Sequence, residues 1–443
     1  MKKVLFASTS LALLAGLTVP SLGAKPSPGT PRFGKPVLLT IDKYFGGYEP
    51  SIVVDKFQNV IVTAHKQNHG DAVSPDSRAT AKARTQSWIW YSADHKKFHD
   101  MPGTTPAQEQ SLVFGNEGDL ATDNNGRTYF IDMSVVDSSF SRWKATGRGK
   151  LALEHVRPVG PFGQPVDDRP WIAAHGDGVV LYIANMGNKE AYPAGEINGG
   201  DGDAYGPGRY TVYMSYDRGE TFEPLGRSLN DSGWCRPAAD KRPGSKNLYV
   251  LCTNDNGTLW SYASLDNGKS WRRYKMGKYN ARDDISTYPS VSVAKDGTIY
   301  ALYNDSVTNS SGYPIESHLR LYTSKTQGRT WTMREVTPRA GQIRYTWLDV
   351  APDGTIGIAY YYRPDSSAAW YLYAGTAKPG QRFKVVSAAP STPLASRSFG
   401  YAFGDFFQVA FGPDSKLHIA YTAMNEDLLL EGLNTDIYYV KQQ

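Results

Sequence analysis

The fold class this sequence predicts is all-β, a seven-bladed β-propeller, and three observations carry it. A strand–turn–strand pattern recurs seven times along the 443 residues. The copies lie roughly 50–70 residues apart, the repeat length of a four-stranded blade rather than of a sandwich strand. No long run of helical periodicity follows the first two dozen residues, and 43 glycines and 29 tyrosines suit many turns and half-buried strands. A six-bladed ring with an extra hairpin and a large Greek-key sandwich are the alternatives.

The clearest copy is Tyr288–Tyr303 (YPSVSVAKDGTIYALY), two short alternating strands around a tight turn at Asp296-Gly297. Related segments begin at Pro50, Gly118, Pro170, Pro237, Thr346 and Phe407. Before the first of them, Lys2 and Lys3 precede an apolar run from Val4 to Val19, with Ser21 and Gly23 as small residues near a cleavage point. That run is too short and wrongly flanked for a stable membrane span, so residues 1–24 read as a secretion signal. Residues 25–35 read as a flexible segment and 36–443 as one propeller domain. Residues 37–44 are expected to form a strand before the first hairpin and 436–440 a strand after the last. One of them should complete a blade begun at the other end and so remove an open edge.

The formal charge is +5, of which Lys2 and Lys3 supply two, and there is no basic tract. That balance excludes nucleic acid as the main partner and permits a local basic pocket. The two cysteines, Cys235 and Cys252, flank the turn at Pro243-Gly244 symmetrically, so the hairpin places them opposite each other. In an exported chain this predicts a local disulfide, with two buried thiols as the alternative.

A second element recurs in the outer half of the blades: Ser215-Tyr-Asp217-Arg-Gly219-Glu-Thr221-Phe222, Ser264-Leu-Asp266-Asn-Gly268-Lys-Ser270-Trp271 and Ser324-Lys-Thr326-Gln-Gly328-Arg-Thr330-Trp331, with a frayed copy at Ser92-Ala-Asp94. The aspartate can accept backbone N–H groups, the glycine supplies a positive φ and the aromatic packs beneath. This element resembles the Asp-box of the sialidase, or BNR-repeat, superfamily. The resemblance implies a propeller with its Asp-boxes on the face away from the active site. It does not imply sialidase activity, because the superfamily includes other glycoside hydrolases, lyases and non-catalytic propellers.

The first strand of a propeller blade lines the axis, so the residues just before it lie at one mouth. In blade order the position before the alignment point is Glu49, Glu117, Arg169, Arg236, Tyr288, Tyr345 and Phe406. One residue earlier come Tyr48, Asn116, Asp168, Cys235, Thr287, Arg344 and Asp405, and Asp119 lies one residue later in blade two. Turn positions kept for structure alone should converge on Gly, Pro or Ser; these diversify into acids, arginines and tyrosines, as an asymmetric ligand site requires. Ion pairing between blades is the competing reading of each one. Arginine forks favour a carboxylate or sulfate on the ligand. Trp171, Trp234, Tyr205 and Trp347 are candidate sugar-stacking faces, with core packing the alternative for Trp171 and Trp347.

The resemblance to sialidases implies three arginines on a substrate carboxylate (Arg169, Arg236, Arg344), a tyrosine nucleophile (Tyr288 or Tyr345) assisted by Glu117, and Asp119 or Asp168 as acid/base. Two departures stand against that activity. The first-blade Phe/Tyr-Arg-Ile-Pro motif is absent, Glu49-Pro50 standing in its place, and the hairpins number seven rather than six. The chain also resembles secreted seven-bladed propellers that cleave uronate polysaccharides by β-elimination, where a His or Tyr removes the C5 proton and Arg or His neutralises the carboxylate. That chemistry would use His65, Tyr288 or Tyr345 with Arg169 or Arg236. Glu49 and Glu117 form an alternative carboxylate pair.

The expectation is therefore a secreted, monomeric, carbohydrate-active protein acting on an acidic oligo- or polysaccharide. Hydrolysis stands ahead of elimination and of binding alone. The long segments 66–87, 134–165, 186–209 and 304–317 are where such a ligand would be recognised. No cofactor is required; Asp201 and Asp203 are candidates for a structural calcium, with a solvated loop as the favoured alternative.

Overall fold

The computed structural model describes residues 29–41, 45–68, 87–103, 117–134, 137–159, 167–186, 196–197, 210–223, 227–229, 233–254, 256–280, 288–308, 314–365, 368–391, 394, 403–424 and 435–443. The leader, Asp201 and Asp203 lie outside them, as do the side chains of Glu117, Asp168 and Arg169. No helix among the described residues is long and apolar enough to cross a membrane.

Seven antiparallel sheets form the blades of a propeller. Their inner strands are Phe45–Val54 (I), Glu117–Thr122 (II), Asp167–His175 (III), Cys235–Ala239 (IV), Ser290–Val293 (V), Gln342–Val350 (VI) and Gln408–Phe411 (VII). Each belongs to one of the seven recurring hairpins. Each inner strand packs against the next and the seventh packs against the first, which closes the ring. Blade III carries a fifth strand, Glu196–Ile197, parallel to Arg227–Leu229.

The ring is latched by the N-terminal strand, narrower than the sequence predicted. Among the described residues Val37–Leu38 forms the outermost strand of blade VII, with Val37 opposite Tyr439 and Leu38 opposite Tyr438. A bridge between Phe33 and Gln442 extends the seam. Both chain ends thus contribute to one sheet, which ties the ring shut. Between blades VII and I the apolar faces of Ile52, Val62, Trp90, Ala420 and Ile437 meet in one buried cluster. Burying each large side chain of this kind contributes about 1.5–3 kcal/mol, which is what holds neighbouring sheets face to face.

The turns are built alike. In six inner hairpins an aspartate, opening the turn in blades I, II and IV and inside it in blades V, VI and VII, accepts an N–H two residues on: Asp55 from Phe57, Asp123 from Asn125, Asp240 from Arg242, Asp296 from Thr298, Asp353 from Thr355 and Asp414 from Lys416. The Asp-boxes lie between the third and fourth strands, beside these turns; Arg218 N donates to Gly178 O and Asn267 N to Lys246 O. Inside the box Asp217 accepts from Ser215 Oγ at 2.8 Å, Thr221 N at 2.9 Å and Thr221 Oγ1 at 2.5 Å. Asp266 repeats the pattern, and Thr326 keeps it with a hydroxyl that accepts the Thr330 amide at 2.9 Å. Because strands alternate in direction, turns one–two and three–four share one face of the ring. The starts of the inner strands share the other, so the boxes lie opposite the mouth.

Cys235 and Cys252 are a directly opposed pair on adjacent strands of blade IV and form the disulfide.

Candidate active site at the propeller mouth

A register rule sorts the mouth residues. Along a strand side chains alternate, and one extra residue in a bulge reverses the facing of the residues beyond it. The residues one past the alignment point (Ser51, Asp119, Trp171, Trp347 and Gln408) point into the axis. Blade IV has no register shift, so Arg236, two positions before the axial Ala238, also points inward. Blades I, III and VI each have a shift at this place, between Tyr48 and Ser51, Asp168 and Trp171, and Arg344 and Thr346. At two of these bulges the non-glycine residues Glu49 and Tyr345 take φ of 50° and 44°. That left-handed conformation is costly for such side chains and gathers at functional sites. It turns Glu49 and Tyr345 away from the axis.

The inward set closes the axis with a plug. Arg236 donates to Asp119 through Nη1 at 2.7 Å and Nη2 at 3.2 Å, and Asp119 is fully buried. The carboxylate also accepts from Ser51 Oγ at 2.8 Å, Gln408 Nε2 at 2.8 Å and Ile172 N at 3.1 Å. Four other blades thus converge on this side chain of blade II. The guanidinium of Arg236 lies 4.1 Å from the ring centre of Trp171 and 4.8 Å from that of Trp347. Tyr288 packs edge-on against Trp171 at 5.0 Å and Trp234 at 5.4 Å, and Phe406 against Trp171 at 4.7 Å. Beneath the plug a channel of about 520 Å³ runs between the inner strands of all seven blades.

In this arrangement three residues expected at the ligand have protein partners instead. Asp119, expected as an acid/base, spends its lone pairs on five protein donors and holds blades together. Arg236, expected on a substrate carboxylate, has a protein carboxylate instead. Trp171, expected as a sugar-stacking face, is 1 % exposed and offers its ring to Arg236 and its aromatic neighbours. Tyr288 belongs to the same plug and is likewise buried.

The bulged residues meet on the side of the mouth where blades VI, VII and I adjoin. Glu49 Oε2 lies 3.1 Å from Nε2 of His65, on the second strand of the same blade. Its Oε1 accepts the Asp405 amide of blade VII at 2.5 Å. Tyr48 packs against the His65 ring at 4.4 Å. Gly404 makes the approach possible: its φ is +67°, and a Cβ there would lie 2.0 Å from Glu49 Cγ. Tyr345 donates its phenolic O–H to the Gly404 carbonyl and accepts from Arg344. Burial, reinforced by the charges of Asp405 and Glu49 and opposed by Arg344, pushes that phenol well above its ordinary pKa. Tyr345 is therefore a proton donor at neutral pH, not a phenolate.

Beside Tyr345 two guanidiniums share an aromatic support. Arg344 lies 5.7 Å and Arg363 4.7 Å from the ring centre of the buried Trp370. Arg363 Nε also donates to Gln342 Oε1 at 2.6 Å. Burial and then the charge of Arg344 lower the Arg363 pKa.

Of the expected site residues, Glu49, His65, Arg344, Tyr345 and Asp405 come together, while Asp119, Tyr288, Arg236 and Trp171 form the floor. Arg363, Trp370 and Gly404 were not anticipated. Arg363 stands where the second strand of blade VI returns to the mouth, as His65 does in blade I. Aligning the second strands as well as the first would have found it. Among the described residues no three His, Cys, Asp or Glu side chains group as metal ligands.

No protein-family model matches the chain and no curated protein matches it in sequence. Solved structures of similar shape include a protein of unknown function from Dyadobacter fermentans (12 % identity, 94 % of this chain and 99 % of that one, TM-score 0.46). The NanB sialidase of Streptococcus pneumoniae is similar at 11 % identity over 94 % of this chain and 70 % of its own, TM-score 0.44. An ulvan lyase bound to a GlcA–sulfated rhamnose fragment is similar at 10 % identity over 93 % of each chain, TM-score 0.49. At this distance the activities of those proteins do not transfer to this chain.

Proposed function

We propose that this is a secreted carbohydrate-active enzyme that cleaves an acidic glycan at the mouth between blades VI, VII and I, by proton abstraction and β-elimination. The contact between Glu49 and His65 carries the reading. A carboxylate 3.1 Å from Nε2 orients the ring and stabilises its protonated form, which is what a general base requires. With Nε2 turned to Glu49, Nδ1 of His65 would take the proton from the carbon next to the uronate carboxylate, which requires the substrate to displace the groups that bury the ring. The electron pair forms the C4–C5 double bond as the C4–O bond breaks, and Tyr345, releasing the Gly404 carbonyl, donates its phenolic proton to the leaving oxygen. Arg344 and Arg363 would stand against the carboxylate and the negative charge that develops on it.

Hydrolysis with Tyr345 as nucleophile and Glu49 as its base is the second reading, and the proximity of those two residues favours it. Two facts weigh against it. The raised pKa of Tyr345 disfavours the phenolate, and Asp119 is engaged with Arg236 rather than available as an acid. The protein is incubated with uronate polysaccharides, sialosides and neutral arabinans. Elimination gives reducing ends together with absorbance near 235 nm, lost in His65→Gln. Reducing ends without that absorbance would establish hydrolysis, and cleavage of neutral glycans alone would remove the acidic substrate. Tight binding of a uronate polymer without cleavage would leave a glycan-binding propeller.

A further inference from the structure

On either side of its apolar cluster the seam between blades VII and I carries polar contacts, between Glu49 and Asp405 at the mouth and in a second cluster on the opposite face. In that cluster Lys441 of blade VII lies 3.0 Å from Nδ1 of His95 in blade I and 2.8 Å from Asp414 Oδ2. His95 Nε2 is 2.8 Å from the carbonyl of Gln58. His418, fully buried, lies with its ring centre 5.1 Å from that of His95 and its Nδ1 2.7 Å from the hydroxyl of Tyr439. Its Nε2 has no hydrogen-bond partner among the described residues.

The chemistry fixes the protonation state of His95. An ammonium has only donors, so Nδ1 must accept from Lys441 and the single ring proton sits on Nε2, donated to Gln58. The contact exists only while His95 is neutral.

We propose that this cluster is a proton-sensitive clasp on ring closure: protonation of His95 sets an N–H against the Lys441 ammonium and releases the VII–I seam.

The groups facing His95 leave no relief for the added charge. From blade VII come Lys441, His418 and Asp414, and Asp414 already pairs with Lys441. From blade II comes Arg148, which donates to the carbonyl of Ala93 beside His95. From blade I itself comes only the Gln58 carbonyl. Three cations would then share one carboxylate. Burial lowers the pKa of both histidines, and Lys441 lowers each further, so the neutral state holds at pH 7. Asp414 does not turn the cluster into a cation site, because Lys441 neutralises it. The strand Val37–Leu38 and the Gly34 amide, which donates to Lys441 O, latch to the same strand as the clasp. Release therefore acts on the latch. Because Glu49 and Asp405 cross the same seam, release would also disturb the mouth; that consequence rests on the proposed function, whereas the clasp does not.

Amide hydrogen exchange of the full-length protein at pH 7.5 and 5.5, corrected for intrinsic rates, tests it. Protection in Val37–Leu38 and Thr435–Lys441 should fall about tenfold more on acidification than protection in Leu248–Cys252 of blade IV. His95→Gln, neutral at both pH values, should abolish most of that seam-specific loss, and Lys441→Met should do the same by removing the opposing charge. Equal loss in the seam and blade IV, or an unchanged seam-specific loss in both variants, would overturn the proposal. If neither variant folds, an NMR titration of His95 in the wild-type protein decides. An ordinary or raised pKa refutes the clasp, and a depressed one that coincides with seam opening supports it. All these readouts stand even if the protein cleaves no glycan.

Discussion

Arg236 reaches across the propeller axis from blade IV and grips Asp119 of blade II with two hydrogen bonds, in a buried site. Ser51, Ile172 and Gln408 complete the shell of the carboxylate. Two residues that read in sequence as a substrate ligand and an acid/base thus neutralise each other. The proposed binding surface is formed by the bulged positions of blades I and VI on the other side of the mouth.

Breaking this pair one side at a time should be far more damaging than removing it whole. Arg236→Met leaves a buried carboxylate without its cation and should cost about 3–5 kcal/mol. Asp119→Asn with Arg236→Met removes both charges and should cost clearly less than the sum of the single changes. Urea unfolding of the two single variants and the double variant measures the coupling. Additive losses would mean that the pair is not a unit.

The hairpins were legible because a period of two and an Asp-Gly type of turn are local signals. The disulfide was legible for the same reason, since a tight hairpin converts sequence symmetry into apposition. The split between floor and site was not legible. Glu49 and Arg236 occupy one alignment column, and only a bulge, present in blade I and absent in blade IV, sends the first off the axis and leaves the second on it. Nothing in Tyr48-Glu49-Pro50 announces that extra residue. Gly404 and Trp370 escaped for another reason. Each acts by shape, under Glu49 and under two arginines, and shape across blades leaves no sequence pattern.

Loss of the Cys235–Cys252 bridge should loosen blade IV. The cysteines are 17 residues apart, and a loop of that size contributes about 3 kcal/mol through restriction of the unfolded chain. Thermal unfolding of the Cys235→Ala/Cys252→Ala protein should show a clear fall in Tm. An unchanged Tm would place the stability of the blade in its packing alone.

Gly404→Ala tests the support beneath the site. The added methyl would collide with the Glu49 side chain, and the backbone there has a φ of +67°. We expect a loss of roughly 1–3 kcal/mol in stability. Any glycan cleavage should fall by a larger factor than stability explains, because Glu49 can no longer hold both His65 and Asp405. Activity retained in a folded Gly404→Ala protein would remove Glu49 from the mechanism.

The frayed Asp-box in blade I sets an acid limit. Amides of Lys97 and Lys96 hold the Asp94 carboxylate down to about 2. A carboxylate with a depressed native pKa stabilises the fold above its unfolded value of about 3.9, and that contribution fades as pH falls toward the native value. Asp94→Asn should therefore lower Tm slightly at pH 7 and lose its difference from wild type near pH 2. Asp94 is largely exposed, so the effect should stay small. A difference that grows on acidification would reverse the assignment.

Arg363 provides the sharpest test of the ligand class. It lies beside Arg344 over the Trp370 ring, and two neighbouring guanidiniums call for an anionic group on whatever ligand binds against them. A uronate carboxylate or a sugar sulfate meets that need with paired N–H donors, whereas a neutral sugar does not. Arg363→Met should thus raise KM, or Kd for a non-cleaved analogue, about 10–100-fold for an acidic glycan, since a partly desolvated charged contact contributes about 2–3 kcal/mol. It should leave neutral glycans unaffected. Arg363→Lys should recover part of the affinity, because it keeps the charge and loses the fork. A folded Arg363→Met protein that binds acidic glycans as tightly as wild type would show that the anion, if there is one, binds elsewhere in the mouth.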